Sequence, residues 1–268
     1  MRSNIGVQNF SLPGYEVGQL LGFGGSGEVW RARDLSSGEP VALKRLHVGG
    51  AVAASTAAST AADAGPTPMQ RLHREAALLA SVRHEHVVGL RSVVPLDEEL
   101  VLVLDLAEGG SLASVLGARG RLSAGEVVTI GAPLAQALAD VHARGLIHGD
   151  ITPANIVFDG SGKPLLADLG VARLVGEQVS VVGVTAGFAD PAVLAGAVPT
   201  PASDVFGLAA VCRAALFGGG PPQSPRPGVP AALVAAIESA LDADPRARPD
   251  PAGFARALHA SCTPEPVR

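Results

Sequence analysis

Apolar and polar positions alternate through much of the first hundred residues. Residues 15–29 read as a strand, a glycine turn and a returning strand, and 28–32 and 40–46 extend the same pattern with Val and Leu spaced by polar residues. A period of two marks strands with one buried face. Between them, residues 34–39 carry Ser-Ser-Gly, a turn signal. Residues 87–94 and 100–106 read as two more strands. The second contains an unbroken Leu-Val-Leu-Val-Leu run, which suits burial on both faces. One helix interrupts the series, over 69–82, with Leu72, Ala76, Leu79 and Val82 on one face. Residues 48–68 are low in complexity, rich in Ala, Ser, Thr and Gly, and read as an insertion.

After Gly109-Gly110 the period changes to that of helices, expected at 111–116, 123–144, 203–217, 229–243 and 251–261. Ser123 with Glu126 three residues on forms a capping box for the longest of them. The expected architecture is α+β: a five-stranded antiparallel sheet plus one helix, then a mainly helical lobe. A boundary near Ala107 leaves a cleft between unlike lobes, where ligands bind. The small lobe runs from about residue 13 to 106 and the large lobe from about 107 to 262, within one domain over 1–268.

Composition narrows the function. A hydrophobic share of 47% over 268 residues supports a sizeable core. The net charge of −5 gives no reason to expect a nucleic-acid partner. The N-terminal residues lack a basic start followed by an apolar run, and no apolar stretch is long enough for a membrane anchor. Cys212 and Cys262 lack metal-ligand spacing and read as reduced thiols of a cytoplasmic protein. Only two lysines occur, Lys44 and Lys163; the composition fits a GC-rich bacterial genome. A chain that otherwise uses arginine keeps a compact ammonium at position 44, where the two are not interchangeable.

Four segments carry the chemistry. The first, Gly22-Phe23-Gly24-Gly25-Ser26-Gly27, lies in a strand–turn–strand hairpin and is followed by Val29. Glycines there let backbone approach phosphates; read alone, the same pattern also fits a plain hairpin turn. The second, Val41-Ala42-Leu43-Lys44, sets a lysine among apolar residues, where it needs an anion. Glu75 and nucleotide phosphates are the candidates, though Glu75 alone reads equally as a solvated helix residue. The third and fourth are His148-Gly149-Asp150-Ile151-Thr152-Pro153-Ala154-Asn155 and Ala167-Asp168-Leu169-Gly170. Two carboxylates and an amide suit a hard cation such as Mg²⁺. Asp168 and Asn155 are the expected metal ligands, and Asp150 the group that accepts or orients the proton of an attacking hydroxyl.

The order and spacing of these segments resemble the signature set of protein kinases, and the chain resembles bacterial serine/threonine kinases of the eukaryotic-like type from about Tyr15 to Leu258. The resemblance implies ATP with Mg²⁺ (Mn²⁺ as an alternative) and transfer of a phosphoryl group to Ser or Thr of a protein. It implies a nucleotide site formed by the glycine segment, Val29, Ala42, Lys44, Glu75, Leu104, Asp105, Ala107, Ser111, Val157 and Asp168. Leu104 resembles the gatekeeper, and the backbone of Asp105 and Ala107 the hinge that faces adenine. Leu79, Leu90, His148 and Leu169 resemble the hydrophobic column linking the lobes, Asp204 the brace of the catalytic loop, and Thr185 to Phe188 the stretch that receives substrate.

Four positions depart from the family pattern. Gly149 stands where an arginine usually anchors a phosphorylated activation loop, so activity independent of phosphorylation at Ser180 or Thr185 is expected. Thr152 replaces the catalytic-loop lysine and enters the catalytic set beside Asp150, Lys44 and Asn155. Ala192 replaces a glutamate that pairs with the counterpart of Arg248; Asp190, two residues away, is the candidate substitute. The large lobe is shortened between Phe217 and Val229. Three functions stay open: an active serine/threonine kinase, a pseudokinase that binds nucleotide and acts as a scaffold or regulator, and a small-molecule phosphotransferase. The protein substrate and any regulatory partner are unspecified by the sequence.

Overall fold

The computed structural model describes residues 10–24, 27–47, 80, 82–96, 99–169, 187–218 and 228–267. The expected insertion at 48–68, most of the helix at 69–82 and the shortened connection after Gly218 lie outside these residues.

Five strands form the small-lobe sheet: β1 (Tyr15–Gly24), β2 (Gly27–Asp34), β3 (Pro40–His47), β4 (Leu90–Leu96) and β5 (Glu99–Asp105). All neighbours are antiparallel, in the order β1-β2-β3-β5-β4. The period-two pattern sorts side chains onto two faces. Trp30, Ala32, Val41, Leu43, Val101 and Val103 form one buried cluster with Leu12, while Leu46, Leu100 and Leu102 join the larger core on the opposite face. The apolar run of β5 is therefore buried on both sides, as its unbroken character requires.

One strand begins later than expected. Val87 makes only an isolated bridge to Leu166, and β4 starts at Leu90. The backbone of this stretch is committed elsewhere: Val88 N–H donates to Leu166 C=O and Leu166 N–H to His86 C=O, both at 2.9 Å. These bonds tie the small lobe to the catalytic region.

The large lobe contains α1 (Leu112–Arg119), α2 (Ala124–Ala143), the hairpin β6 (Ile156–Phe158) and β7 (Pro164–Leu166), then α3 (Pro191–Leu194), α4 (Pro201–Phe217), α5 (Ala231–Ala240) and α6 (Pro251–Ser261). Ser123 and Glu126 form the expected capping box of α2. Helix α4 begins two residues before Ser203, where the sequence placed its start. Thr200 caps it, Pro201 occupies the first turn, and Ser203 closes a second capping box. The Thr-Pro start is the overlooked signal, since proline is favoured where its missing N–H is not needed. Helix α5 is shorter at both ends than the expected 229–243, beginning after Pro230 and ending at Leu241.

Helices α2, α4 and α6 bury Leu134, Leu138, Val141, Leu208, Leu216, Phe254 and Leu258 in one core. Burying each such side chain contributes about 1.5–3 kcal/mol. Both cysteines are free, and burial pushes the Cys212 thiol up to about 12, so it stays protonated. No helix among the described residues is long and apolar enough to cross a membrane.

Candidate active site

The β3 alternation that buries Val41 and Leu43 on one face turns Ala42 and Lys44 to the other, toward the large lobe. Lys44 is 1% exposed, and its Nζ lies 2.6 Å from Asp168 Oδ2. The anion expected for this ammonium is thus supplied from 124 positions downstream in the chain. Glu75, the other candidate, lies outside the described residues, and Lys44 has further partners beyond Asp168.

A short hairpin sets Asp168 and Asn155 side by side. Asn155 precedes β6, and Asp168 follows β7 by two residues. Ala167 N–H donates to Asn155 C=O at 2.8 Å. The turn between the strands is held by Asp159, whose carboxylate accepts from Ser161 N–H, Ser161 Oγ and Lys163 N–H at 2.8, 2.6 and 2.9 Å. Those bonds, with Ser161's hydroxyl first, hold the Asp159 carboxyl below its usual value against the opposing effect of burial. Asp168 has φ of 62°, in the left-handed region. That conformation is uncommon for a residue with a side chain and is held only by strong surroundings; here the ion pair to Lys44 supplies one such contact.

The loop of Asp150 is braced from below. Asp204 of α4 is 2% exposed and accepts from His148 N–H and Gly149 N–H, each at 2.8 Å. His142 Nε2 lies 2.8 Å from the same carboxylate. Sequence reasoning found Asp204 but missed His142, which sits in the last turn of α2 with no local signal to mark it. His148 Nε2 donates to Ala167 C=O at 2.9 Å, so this buried ring joins the catalytic loop to the Asp168 segment. Gly149 has φ of 79°, a conformation glycine adopts without penalty. Asp150 itself is exposed, and Asn155 Nδ2 donates to its Oδ2 at 2.8 Å. Thr152 is buried beside it, 7% exposed.

Of the remaining expected nucleotide residues, Leu104 lines a cavity with Val87, Val88, Leu90, Asp168 and Leu169. Leu90, His148 and Leu169 are buried there, while Leu79 lies outside the described residues. Ala107 bonds no other described backbone group. The Asp105 N–H is committed to Gly89 C=O at 2.9 Å, and its carboxylate accepts from Arg91 Nε at 2.6 Å. The Ser111 hydroxyl is likewise committed, capping α1 by accepting from Ser114 N–H, while the Ser111 backbone bridges Val157. Val29 and Ala42 sit on adjacent strands at registers two residues apart, opposite Lys44 and Arg31 respectively.

The glycines of the hairpin have different reasons. A Cβ at Gly22 would meet nothing within 4 Å, which leaves that face open. At Gly27, φ is 118° and a Cβ would lie 2.0 Å from Arg45 C=O, so β2–β3 packing alone demands glycine. Gly24 pairs with Gly27 across the turn and Phe23 is 80% exposed at its end; Gly25 and Ser26 lie outside the described residues.

Asp190 does replace the glutamate lost at Ala192. Its carboxylate binds Arg248 at 2.5 and 3.2 Å, with both side chains almost wholly buried. It also caps α3 by accepting from Ala192 N–H. Arg248 completes its bonding to Asp242 C=O and Ala202 C=O and stacks over Phe206 at 4.8 Å. Four of the five guanidinium N–H groups are thus bonded, and such bonding offsets the desolvation cost of a buried ion pair.

A Mg²⁺ ion fits this donor set. Asp168 offers a carboxylate, and the Asn155 amide, with Nδ2 turned to Asp150, leaves its Oδ1 free of hydrogen bonds among the described residues. No group of three or more His, Cys, Asp or Glu gathers among those residues. Few protein ligands plus phosphate oxygens and water is the arrangement Mg²⁺ prefers.

Comparison with known proteins gives the same direction. PknK of Mycobacterium tuberculosis, a serine/threonine-protein kinase, is 31% identical over 262 residues, covering 88% of this chain and 22% of PknK. The serine/threonine-protein kinase PkaB of Streptomyces coelicolor is 30% identical over 263 residues, covering 87% of this chain and 60% of PkaB. CBL-interacting protein kinase 29 of Oryza sativa subsp. japonica is 37% identical over 164 residues, covering 60% of this chain and 35% of the plant protein. The chain thus spans less than two thirds of the length of each of these relatives. The protein kinase domain family matches residues 15–233, well over half of the chain, and the chain belongs to that family.

Proposed function

We propose that this chain transfers the γ-phosphoryl group of ATP to a serine or threonine hydroxyl of a protein, with Mg²⁺ or Mn²⁺ bound. One observation carries the reading. Lys44 pairs with Asp168 at 2.6 Å and Asn155 with Asp150 at 2.8 Å, and the backbone bond from Ala167 N–H to Asn155 C=O holds the two pairs side by side. In the reaction the acceptor Oγ attacks the γ-phosphorus while the bond to the β,γ-bridging oxygen breaks, and ADP departs. Asp150 orients the hydroxyl and takes its proton, which passes to water. Lys44 binds phosphate oxygens from the small-lobe side. Asp168 and Asn155 would hold the metal, which when bound neutralises phosphate charge. The hinge backbone at Ala107 and the apolar side chains Val29, Ala42, Leu104 and Val157 would hold adenine.

Control by loop phosphorylation has no arginine at position 149 to act through, so turnover should survive phosphatase treatment. A large loss of rate after treatment would overturn that part of the reading. The acidic balance of the chain argues for a protein acceptor and against nucleic acid, and we place the reaction in the cytoplasm. The neutral Thr152 favours a second reading, a nucleotide-binding regulator without transfer. Autophosphorylation of the wild type beside Lys44→Met, with calorimetry for ATP binding, separates the two. Transfer lost in the variant supports the kinase; binding without transfer in the wild type supports the regulator.

A further inference from the structure

Arg31 and Glu108 make a contact that the chemistry of transfer does not use. On β2, Trp30 and Ala32 turn to the outer cluster, so Val29 and Arg31 share the face that carries Lys44. The register sets Arg31 opposite Ala42, and Ala42 opposite Leu104, at the hinge end of the sheet. From there the guanidinium crosses the outer end of the cleft and donates to Glu108 Oε1 at 2.8 Å, a residue 77 positions downstream. Among the described residues neither side chain bonds any other group.

The two ends of this bond belong to different lobes. Glu108 is fastened to the large lobe: Gly109 N–H donates to Phe158 C=O at 2.8 Å, and Phe158 N–H to Gly110 C=O at 2.9 Å. The fit is close there, since a Cβ at Gly109 would lie 2.6 Å from Asp159 C=O. Arg31 is fastened to the small lobe by the pairing of β2 with both β1 and β3. A hydrogen bond weakens steeply beyond its ordinary length, so any parting of the lobes at this end breaks it.

A nucleotide held by the Ala107 backbone between Val29, Ala42 and Val157 would lie inward of the pair, and its exit needs the pair open. Both side chains are about half exposed, so salt screens their attraction. Exposed pairs shift an equilibrium by no more than about fivefold. That strength slows the departure of a small ligand without trapping it.

We propose that Arg31 and Glu108 form a clasp on the mouth of the nucleotide cleft, which slows the release of ADP when closed and is loosened by salt. This rests on the reading of the cleft as an ATP site. The clasp takes no part in phosphoryl transfer; it sets how long product stays.

The test is the dissociation rate of ADP carrying a fluorescent label on its ribose. The full chain is loaded with it in the presence of MgCl₂ and chased with excess unlabelled ADP by stopped flow. Arg31→Gln and Glu108→Gln should each raise the rate about threefold at low salt. The double variant should be no faster than either, because both changes remove the same bond. Between about 50 and 500 mM NaCl the wild type should gain about threefold more than the double variant does. Reversing the pair, Arg31→Glu with Glu108→Arg, should restore slow release. A guanidinium that merely attracts the nucleotide anion gives another pattern: Arg31→Gln releases faster and Glu108→Gln slower. That pattern, or one rate shared by the wild type and all variants, overturns the clasp and leaves the nucleotide site standing. Wild-type protein that takes up no labelled ADP overturns both.

Discussion

The guanidinium of Arg248 is wholly shielded from water, and Asp190 is its carboxylate. Removing one partner of a buried pair strands the other and costs about 3–5 kcal/mol. Asp190→Ala should therefore lower the melting temperature on the order of 10 °C. Adding Arg248→Met to that variant should recover part of the loss; no recovery would show that the pair is not the cause. The same residue predicts a pH effect. Burial raises the Asp190 carboxyl, but the Arg248 bond, the Ala192 N–H and the guanidinium charge outweigh it and hold the group below 3.8. A carboxyl lowered in the folded state stabilises the fold above that ordinary value, and the contribution is lost as pH falls through the lower folded one. In urea titrations from about pH 5 to pH 2, the wild type should lose more stability than Asp190→Asn. At the chemical centre, Lys44→Met removes a preorganised cation, and kcat should drop about a hundredfold or more, measured by autophosphorylation.

The glycine hairpin separates two demands at the scale of an element. Gly27→Ala forces a Cβ against Arg45 C=O at 2.0 Å and against a positive φ. Overpacking of this kind costs about 1–3 kcal/mol, and the melting temperature should fall even without nucleotide. Gly22→Ala meets nothing in the protein. Its stability should stay within about 0.5 kcal/mol of wild type, while KM for ATP rises. Equal thermal loss in both variants would contradict this division. The Asp150 loop shows the same economy. Gly149 in the left-handed region lets two successive N–H groups, at 148 and 149, reach the Asp204 carboxylate. Gly149→Arg, which restores the usual family residue, should carry a backbone penalty of about 1 kcal/mol and confer no response to loop phosphorylation unless that strain is absorbed.

Across the whole molecule, the polar links between the lobes differ in worth. Arg31 of β2 reaches Glu108 beyond the hinge at 2.8 Å, with both side chains about half exposed, so this pair is weak in salt. The Lys44–Asp168 pair is a buried link. A ligand that binds across both lobes should stabilise the fold strongly. MgATP at a hundred times its dissociation constant contributes about 2.7 kcal/mol, a shift of roughly 5–10 °C for a chain of this size. No shift in differential scanning fluorimetry would sink the nucleotide site itself.

Short segments set the chemistry in order along the chain. The glycine hairpin, Lys44 on its apolar strand, and the 148–155 and 167–170 stretches were legible because turns, strand periods and phosphate or metal chemistry are local properties. The capping box at Ser123 was legible for the same reason, whereas the Thr200–Pro201 start of α4 was missed beside a nearer serine. Pairing over distance was decided only by the fold. Nothing near Lys44 names Asp168 as its anion, and the pairing of Asp190 with Arg248, 58 positions away, was expected from the family resemblance and from no local pattern. The left-handed backbone of Asp168 also depends on what surrounds it after packing. Periodicity reports which face of an element is buried; which side chain waits on the other side is fixed by how the elements stack, and no local pattern encodes that.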